Sequence, residues 1–240
     1  MGMEWFWLTV LALVAGVLSA VTGFGGAAIL LPALVLRLGP RDAVVALTIA
    51  QLGGNLSRAW LNRSDLNWRL VRWFALGAVP ASVVGGLLFA TAPLRVLTVV
   101  LGVALISMVV GRRLLRRGYP KLGQRGFAGL GAGVGMVSAL AGTAGPIAAP
   151  FFLGYGLVRG AYIGTEAATA VVMHLVKSVV YGTANVLSPR TVGIGLLLGL
   201  VLLVGSYLGK RIVDRTPERV FVIMVELALM AAGIRLIWSV

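Results

Sequence analysis

Apolar residues run along this chain in eight long blocks, at about 5–36, 43–61, 70–90, 94–111, 126–157, 161–187, 192–209 and 217–238, with the charged residues clustered between them. A helix of about 20 apolar residues reaches across a hydrocarbon core roughly 30 Å thick, so six of the blocks predict single spanning helices. The other two, 5–36 and 126–157, hold about 32 residues each. That is too long for one untilted crossing and too short for two. Both carry an interruption rich in glycine and proline, "SAVTGFGGAAILLP" at 19–32 and "SALAGTAGPIAAP" at 138–150. Irregular backbone at membrane depth is tolerated only where it is buried in protein or lines a watery cavity. Each long block therefore predicts a re-entrant hairpin with the interruption at its tip.

The two interruptions are related. Ser19, Ala20, Gly23 and Gly26 align with Ser138, Ala139, Gly142 and Gly145 at a constant offset of 119, and Pro32 aligns with Pro150 at 118. Each half continues with an Arg-led helix, "PRDAVVALT" or "VRGAYIGTE", and then two more apolar blocks, the last opening on "APLRV" or "TPERV". The pattern predicts an internal duplication, with a first membrane repeat at 1–111, a basic linker at 112–125 and a second repeat at 126–240.

Composition agrees with the blocks: 59% of the 240 residues are hydrophobic, only 12% are charged, and the mean hydropathy is +0.99. Residues 1–10 carry Glu4 and no Lys or Arg, which is not the basic start of a signal peptide. With no cysteine and one histidine, the sequence offers neither a disulfide nor a Cys- or His-rich metal cluster, and it calls for no cofactor. The net charge of +14 sits in short loops, where it sets membrane orientation rather than nucleic-acid binding.

Those loop charges test the second hairpin. Setting aside Arg58 and Lys177, a hairpin at 126–157 divides the basic residues 14 to 5, with Arg63, Arg69, Arg72, the linker, Arg159, Lys210, Arg211, Arg215 and Arg219 on the richer side. A single crossing divides them 11 to 8. The positive-inside rule selects the hairpin, makes the linker cytoplasmic and both termini external, and inverts the two halves.

Inverted repeats with broken helices mark secondary transporters, whose substrate site lies near the bilayer midplane between the repeats. A half-helix starting inside the membrane points free N–H groups and a positive dipole end at that site, which favours an anion. The candidate substrate contacts are Thr22, Gly23, Gly25 and Gly26 in one tip and Ala141, Gly142, Thr143 and Gly145 in the other. The alternative for such glycines is close helix packing, as at Gly131 and Gly135. In "EAATAVVMHLVK", Glu166, Ala170, His174 and Lys177 share one helix face. His174 and Lys177 fall near mid-membrane, where an ionisable group defaults to a functional role. Asn55 and Arg58 stand at the same offset of 119 from them. Arg58 and Lys177 would form a two-sided anion cradle, although Arg58, close to its helix end, is also placed to snorkel to the cytoplasmic interface. Glu166, His174 and Glu226 are the candidate proton carriers. Gln51, Ser178, Tyr181 and Asn185 read as packing hydrogen bonds. The faces at Gly195/Gly199 and Gly205/Gly209 suit another helix of the chain or a second copy in a homodimer.

The segments "SAVTGFGGAAILLPAL" and "SALAGTAGPIAAPFF" resemble the paired glycine-rich motifs of the TauE/SafE family of membrane permeases, over nearly the whole chain. The second motif departs from the family run, with Thr143, Ala144 and Pro146 where glycine is usual. The resemblance implies an exporter of sulfite or organosulfonates in the bacterial or archaeal inner membrane. The sequence expectation is thus an all-α polytopic membrane protein, two inverted repeats each made of a re-entrant hairpin plus three spanning helices, working by alternating access on a small anionic substrate. An intramembrane hydrolase using Ser138 and His174, or a passive anion channel, is the alternative.

Overall fold

In the computed structural model, residues 2–24, 26–115 and 121–212 are described. Among them the chain is helical, without strands: α1 (Gly2–Thr22), α2 (Gly26–Leu38), α3 (Pro40–Leu61), α4 (Trp68–Thr91), α5 (Leu94–Leu115), α6 (Gly126–Ala141), α7 (Gly145–Gly154), α8 (Arg159–Thr183) and α9 (Pro189–Ile212), with a single 3-10 turn at Arg63–Asp65. The expected block at 217–238, with Glu226, lies outside the described residues, as does Gly25.

Both long blocks are broken where the glycines fall. Gly23 (φ 79°) ends the first arm of one and Gly142 (φ 77°) the first arm of the other, in the left-handed conformation that costs an L side chain about 1–2 kcal/mol. The prolines do not make the breaks. Pro146 sits in the first turn of α7, where its missing N–H is no loss, and Pro32 and Pro150 lie inside helices. Each broken block folds back on itself. The Arg37 guanidinium lies 5.7 Å over the Trp5 ring, joining the end of α2 to the start of α1. At the other block, Gln124 Nε2 donates to Tyr155 Oη at 2.8 Å, and Phe127 meets Tyr155 edge-on with centroids 5.6 Å apart.

By length and composition, Trp68–Thr91, Arg159–Thr183 and Pro189–Arg211 are apolar enough to cross a membrane. α3 is as long, with 22 residues, but more polar, because its buried face carries Thr48, Gln51, Asn55 and Arg58. Leu76, Leu87 and Leu88 on α4 and Leu196, Leu197 and Leu200 on α9 point outward, as a lipid-facing surface does. Trp60 and Trp68 are exposed beside Arg63 and Arg69, in the position of an interfacial belt. At that end Lys210 Nζ donates to Leu61 O, and Asn67 N donates to Thr165 Oγ1 at 3.0 Å. At the opposite end of α3, Arg41 donates to Ala92 O at 2.6 Å.

Two hydrophobic cores result. One joins α1, α2, α3 and α9 around Leu30, Leu31, Val44, Leu47 and Leu202, and the other joins α4, α6, α7 and α8 around Phe74, Phe127, Phe152 and Met173. The second core takes α4 from the first half of the sequence, and the first core takes α9 from the second half, together with Ala141 of α6 and Tyr181 of α8. Glycine makes those exchanges close: a methyl group on Gly135 of α6 would lie 2.8 Å from Ala78 O on α4, and one on Gly16 of α1 would lie 2.7 Å from Leu202 O on α9. The glycines considered for a homodimer are used within the chain. Gly195 and Gly199 pack on Ala46, Ile49 and Ala50 of α3, and Gly205 and Gly209 on Leu13, Gly16 and Val17 of α1.

Candidate functional site

Breaking a helix leaves the last carbonyls of its first arm without partners, at the negative end of the helix dipole. In both hairpins a buried cation from the following helix meets them. Arg58 of α3 donates to Ser19 O at 3.2 Å and to Gly23 O, while Gly26 N donates to Ser19 Oγ at 2.8 Å. Lys177 of α8 donates to Ser138 O at 3.2 Å, to Ser138 Oγ at 3.0 Å and to Gly142 O at 3.3 Å. The sequence separations are 39 and 35 residues in each half. Nearby, Tyr181 Oη donates to Ala139 O at 2.6 Å and so ties α8 to the end of α6.

These contacts place both cations. Arg58 does not snorkel: it is buried, donates also to Asn55 Oδ1, and lies 3.5 Å from Glu166 Oε2. Lys177 is fully buried, but its three ammonium donors are directed at the α6–α7 break, and it does not line the cavity described next. The reason is common to both. A carbonyl freed by a helix break is the nearest acceptor a buried cation can reach.

The two tips meet. A methyl group on Gly145 would lie 3.2 Å from Phe24 Cβ and 3.3 Å from Glu166 Oε1. Between them is a small cavity of about 30 Å³. Gly26, Thr143 and Gly145 from the tips, Gln51, Asn55 and Arg58 from α3, and Glu166 and His174 from α8 line it. Gly23 and Gly142 do not; they shape the backbone behind it. Thr22 ends α1 and its side chain is outside the described residues. Four of these lining residues carry a polar atom without a hydrogen-bond partner, Gln51 Nε2, Arg58 Nε, Glu166 Oε2 and His174 Nδ1, and all four side chains are more than nine-tenths buried. Buried polar atoms are normally satisfied, so a cluster of unsatisfied ones on residues that line one cavity is what a polar ligand site looks like.

Gln51 was assigned only to packing from the sequence. Its signal was its place one turn before Asn55 and two before Arg58, on the same face. Ser138 pairs with Lys177, and no hydrogen bond joins it to His174 among the described residues, so the Ser138/His174 pairing for hydrolysis is not formed. A second cavity, of about 120 Å³, opens beside the first at the Lys210 end and is lined by Ala20, Leu61, Asn62, Ile163, Ser206 and Lys210, with Arg58 common to both. Among the described residues no group of His, Asp and Glu side chains is arranged to hold a metal ion.

The model of the family described as Sulfite exporter TauE/SafE matches residues 8–236. No curated protein and no solved structure matches the chain. The match spans nearly the whole sequence, and the chain belongs to the TauE/SafE family. It is a transporter of that membrane-integral family, whose transport is of the sulfite and sulfur-anion exporter type.

Proposed function

From that membership we propose that the chain exports sulfite or an organosulfonate across the inner membrane by alternating access, holding the anion in the cavity where the two hairpin tips meet. The observation that carries the proposal is the pair of buried, unpartnered donors in that cavity, Arg58 Nε and Gln51 Nε2. Charge-assisted N–H donors on a planar guanidinium suit the oxygens of a sulfite or sulfonate group. The start of α7 at Gly145 adds the positive end of a helix dipole, and His174 adds a ring nitrogen that donates in one tautomer or when protonated.

The two halves are read as inverted repeats, at 1–111 and 126–240. Equal Arg58 and Lys177 clamps and the exchange of α4 and α9 between the cores support that reading. So does the contact of Lys210 with Leu61, which a single crossing by 126–157 would pull apart. The Arg63 and Lys210 end is then cytoplasmic and the cavity beside Lys210 is the cytoplasmic approach, with Arg58 standing between approach and site. Alternating access follows if the α1–α2–α3–α9 group rocks against the α4–α6–α7–α8 group about the α3–α8 contact. Proton carriage falls to Glu166 or His174, since both line the cavity.

The test is flux in liposomes containing the purified protein, with sulfite, sulfoacetate and chloride compared. Sulfur anions should saturate and accelerate each other's exchange from the opposite side, and Gln51→Leu should lower their apparent affinity roughly five- to tenfold, the worth of one hydrogen bond of about 1–1.5 kcal/mol. Unsaturable flux that carries chloride equally well would make the protein a channel and overturn the carrier assignment. Affinity indifferent to Gln51→Leu and Arg58→Ala would remove the anion from this cavity.

A further inference from the structure

The cavity already contains a negative group. Glu166 Oε2 stands 3.5 Å from Arg58 Nη1 in an ion pair that completes no hydrogen bond, and Oε1 faces the first residue of α7. The carboxylate thus lies between the guanidinium and the α7 N-terminus. Those are the two positive features an incoming anion would use.

We propose that Glu166 is a tethered occupant of the anion site: the substrate anion takes its place at Arg58 only as the carboxyl accepts a proton, so that one proton is bound with each monoanion. This rests on the reading that the anion binds at Arg58. Charge balance gives the stoichiometry. At rest Arg58 and ionised Glu166 sum to zero; a monoanion alone leaves the buried cavity with a net negative charge, while a monoanion together with a proton on Glu166 restores neutrality. A buried unbalanced charge is strongly disfavoured. Protonation also turns Glu166 from an acceptor into a donor, which can point at the anion it has admitted.

The neighbours of Glu166 leave few rivals for this role. Arg58 is the ionisable group that α3 presents to it. On α8 itself, His174 and Lys177 lie about 12 and 16 Å further along the axis, and Lys177 is held by the α6–α7 break. The Arg63–Asp65 turn places Asp65 beside Gly160, six residues earlier on α8. α6 and α7 contain no ionisable residue, and Arg69 and Arg72 of α4 are exposed. His174 shares the cavity and is the competing proton acceptor.

The experiment measures methanesulfonate binding to the purified full chain in weakly buffered solution containing a pH indicator. Methanesulfonate remains a monoanion across the working range, so every proton taken up belongs to the protein. The expected result is one proton per anion bound, with affinity falling tenfold per pH unit on the alkaline side of the titration. Glu166→Gln should bind with no proton uptake and a flat pH dependence, and His174→Gln, whose affinity falls with its lost donor, should still take up one proton for each anion it binds. Anion binding to the wild-type chain without proton uptake overturns the proposal, whether or not the Glu166→Gln protein folds. So does uptake that persists in Glu166→Gln or vanishes in His174→Gln. Failure of the underlying reading looks different: neither methanesulfonate nor sulfite binds, or Arg58→Ala binds them as well as wild type.

Discussion

Replacing Lys177 by methionine separates two roles that a buried cation in a transporter can have. The ammonium is inaccessible to solvent and gives all three of its donors to Ser138 O, Ser138 Oγ and Gly142 O. Hydrogen bonds to a charged group contribute a net ~1.5–3 kcal/mol each. Taken at the lower end, because all three partners are neutral and two of the bonds exceed 3.1 Å, they sum to about 4.5 kcal/mol. Methionine fills a similar volume, so the loss is in the bonds rather than in packing. At about 2–4 °C per kcal/mol for a chain of this size, Lys177→Met should lower the Tm by about 9–18 °C. Tryptophan fluorescence during a thermal ramp in detergent reads the shift, and sulfite titration of the same sample below the transition reads affinity. The folded fraction should keep anion affinity within a few-fold of wild type. If instead Lys177→Met melts with wild-type Tm and fails to bind sulfite, Lys177 is a ligand, and the assignment of its ammonium to the helix break is wrong.

Other substitutions follow from the same contacts. Gly135→Leu forces a side chain to within 2.8 Å of Ala78 O and 2.9 Å of Ser82 Oγ, and should cost at least about 1–3 kcal/mol, whereas Gly133→Leu, with nothing within 4 Å, should leave the Tm unchanged. Gly142→Ala should cost about 1–2 kcal/mol because φ is 77°, and Gly142→Asn less, read as the order of their melting temperatures. Tyr181→Phe removes the bond to Ala139 O and should lower the Tm by a few degrees, about 1 kcal/mol, with sulfite flux retained.

The positions of the helix breaks were legible because glycine takes the left-handed conformation without the cost that a side chain adds, and Gly23 and Gly142 stood in register. The identity of the buried polar side chains was legible too, since ionisable residues in such blocks stand out. Their partners were not. Lys177 reads as a ligand and Arg58 as a snorkelling group because sequence records a charge and its distance from a helix end, while the carbonyls that each one meets are 35 and 39 residues away. Nothing local links Arg58 to Glu166, 108 residues apart in opposite halves. Gln51 was underrated for the same reason: an amide that bonds and an amide left open to a cavity look alike in a sequence. The exchange of α4 and α9 also escaped, because Gly16, Gly135 and Gly205 announce close contact without saying with which helix.

That exchange makes the protein an intertwined object. Cut within 112–125, the first fragment would hold α1, α2 and α3 without the α9 that closes their core, and would carry α4 with no α6 to receive it. The second fragment would have the mirror deficit. Each would present a bare strip of backbone and glycine along a helix. Neither fragment holds a whole core: each lacks a helix that the other carries.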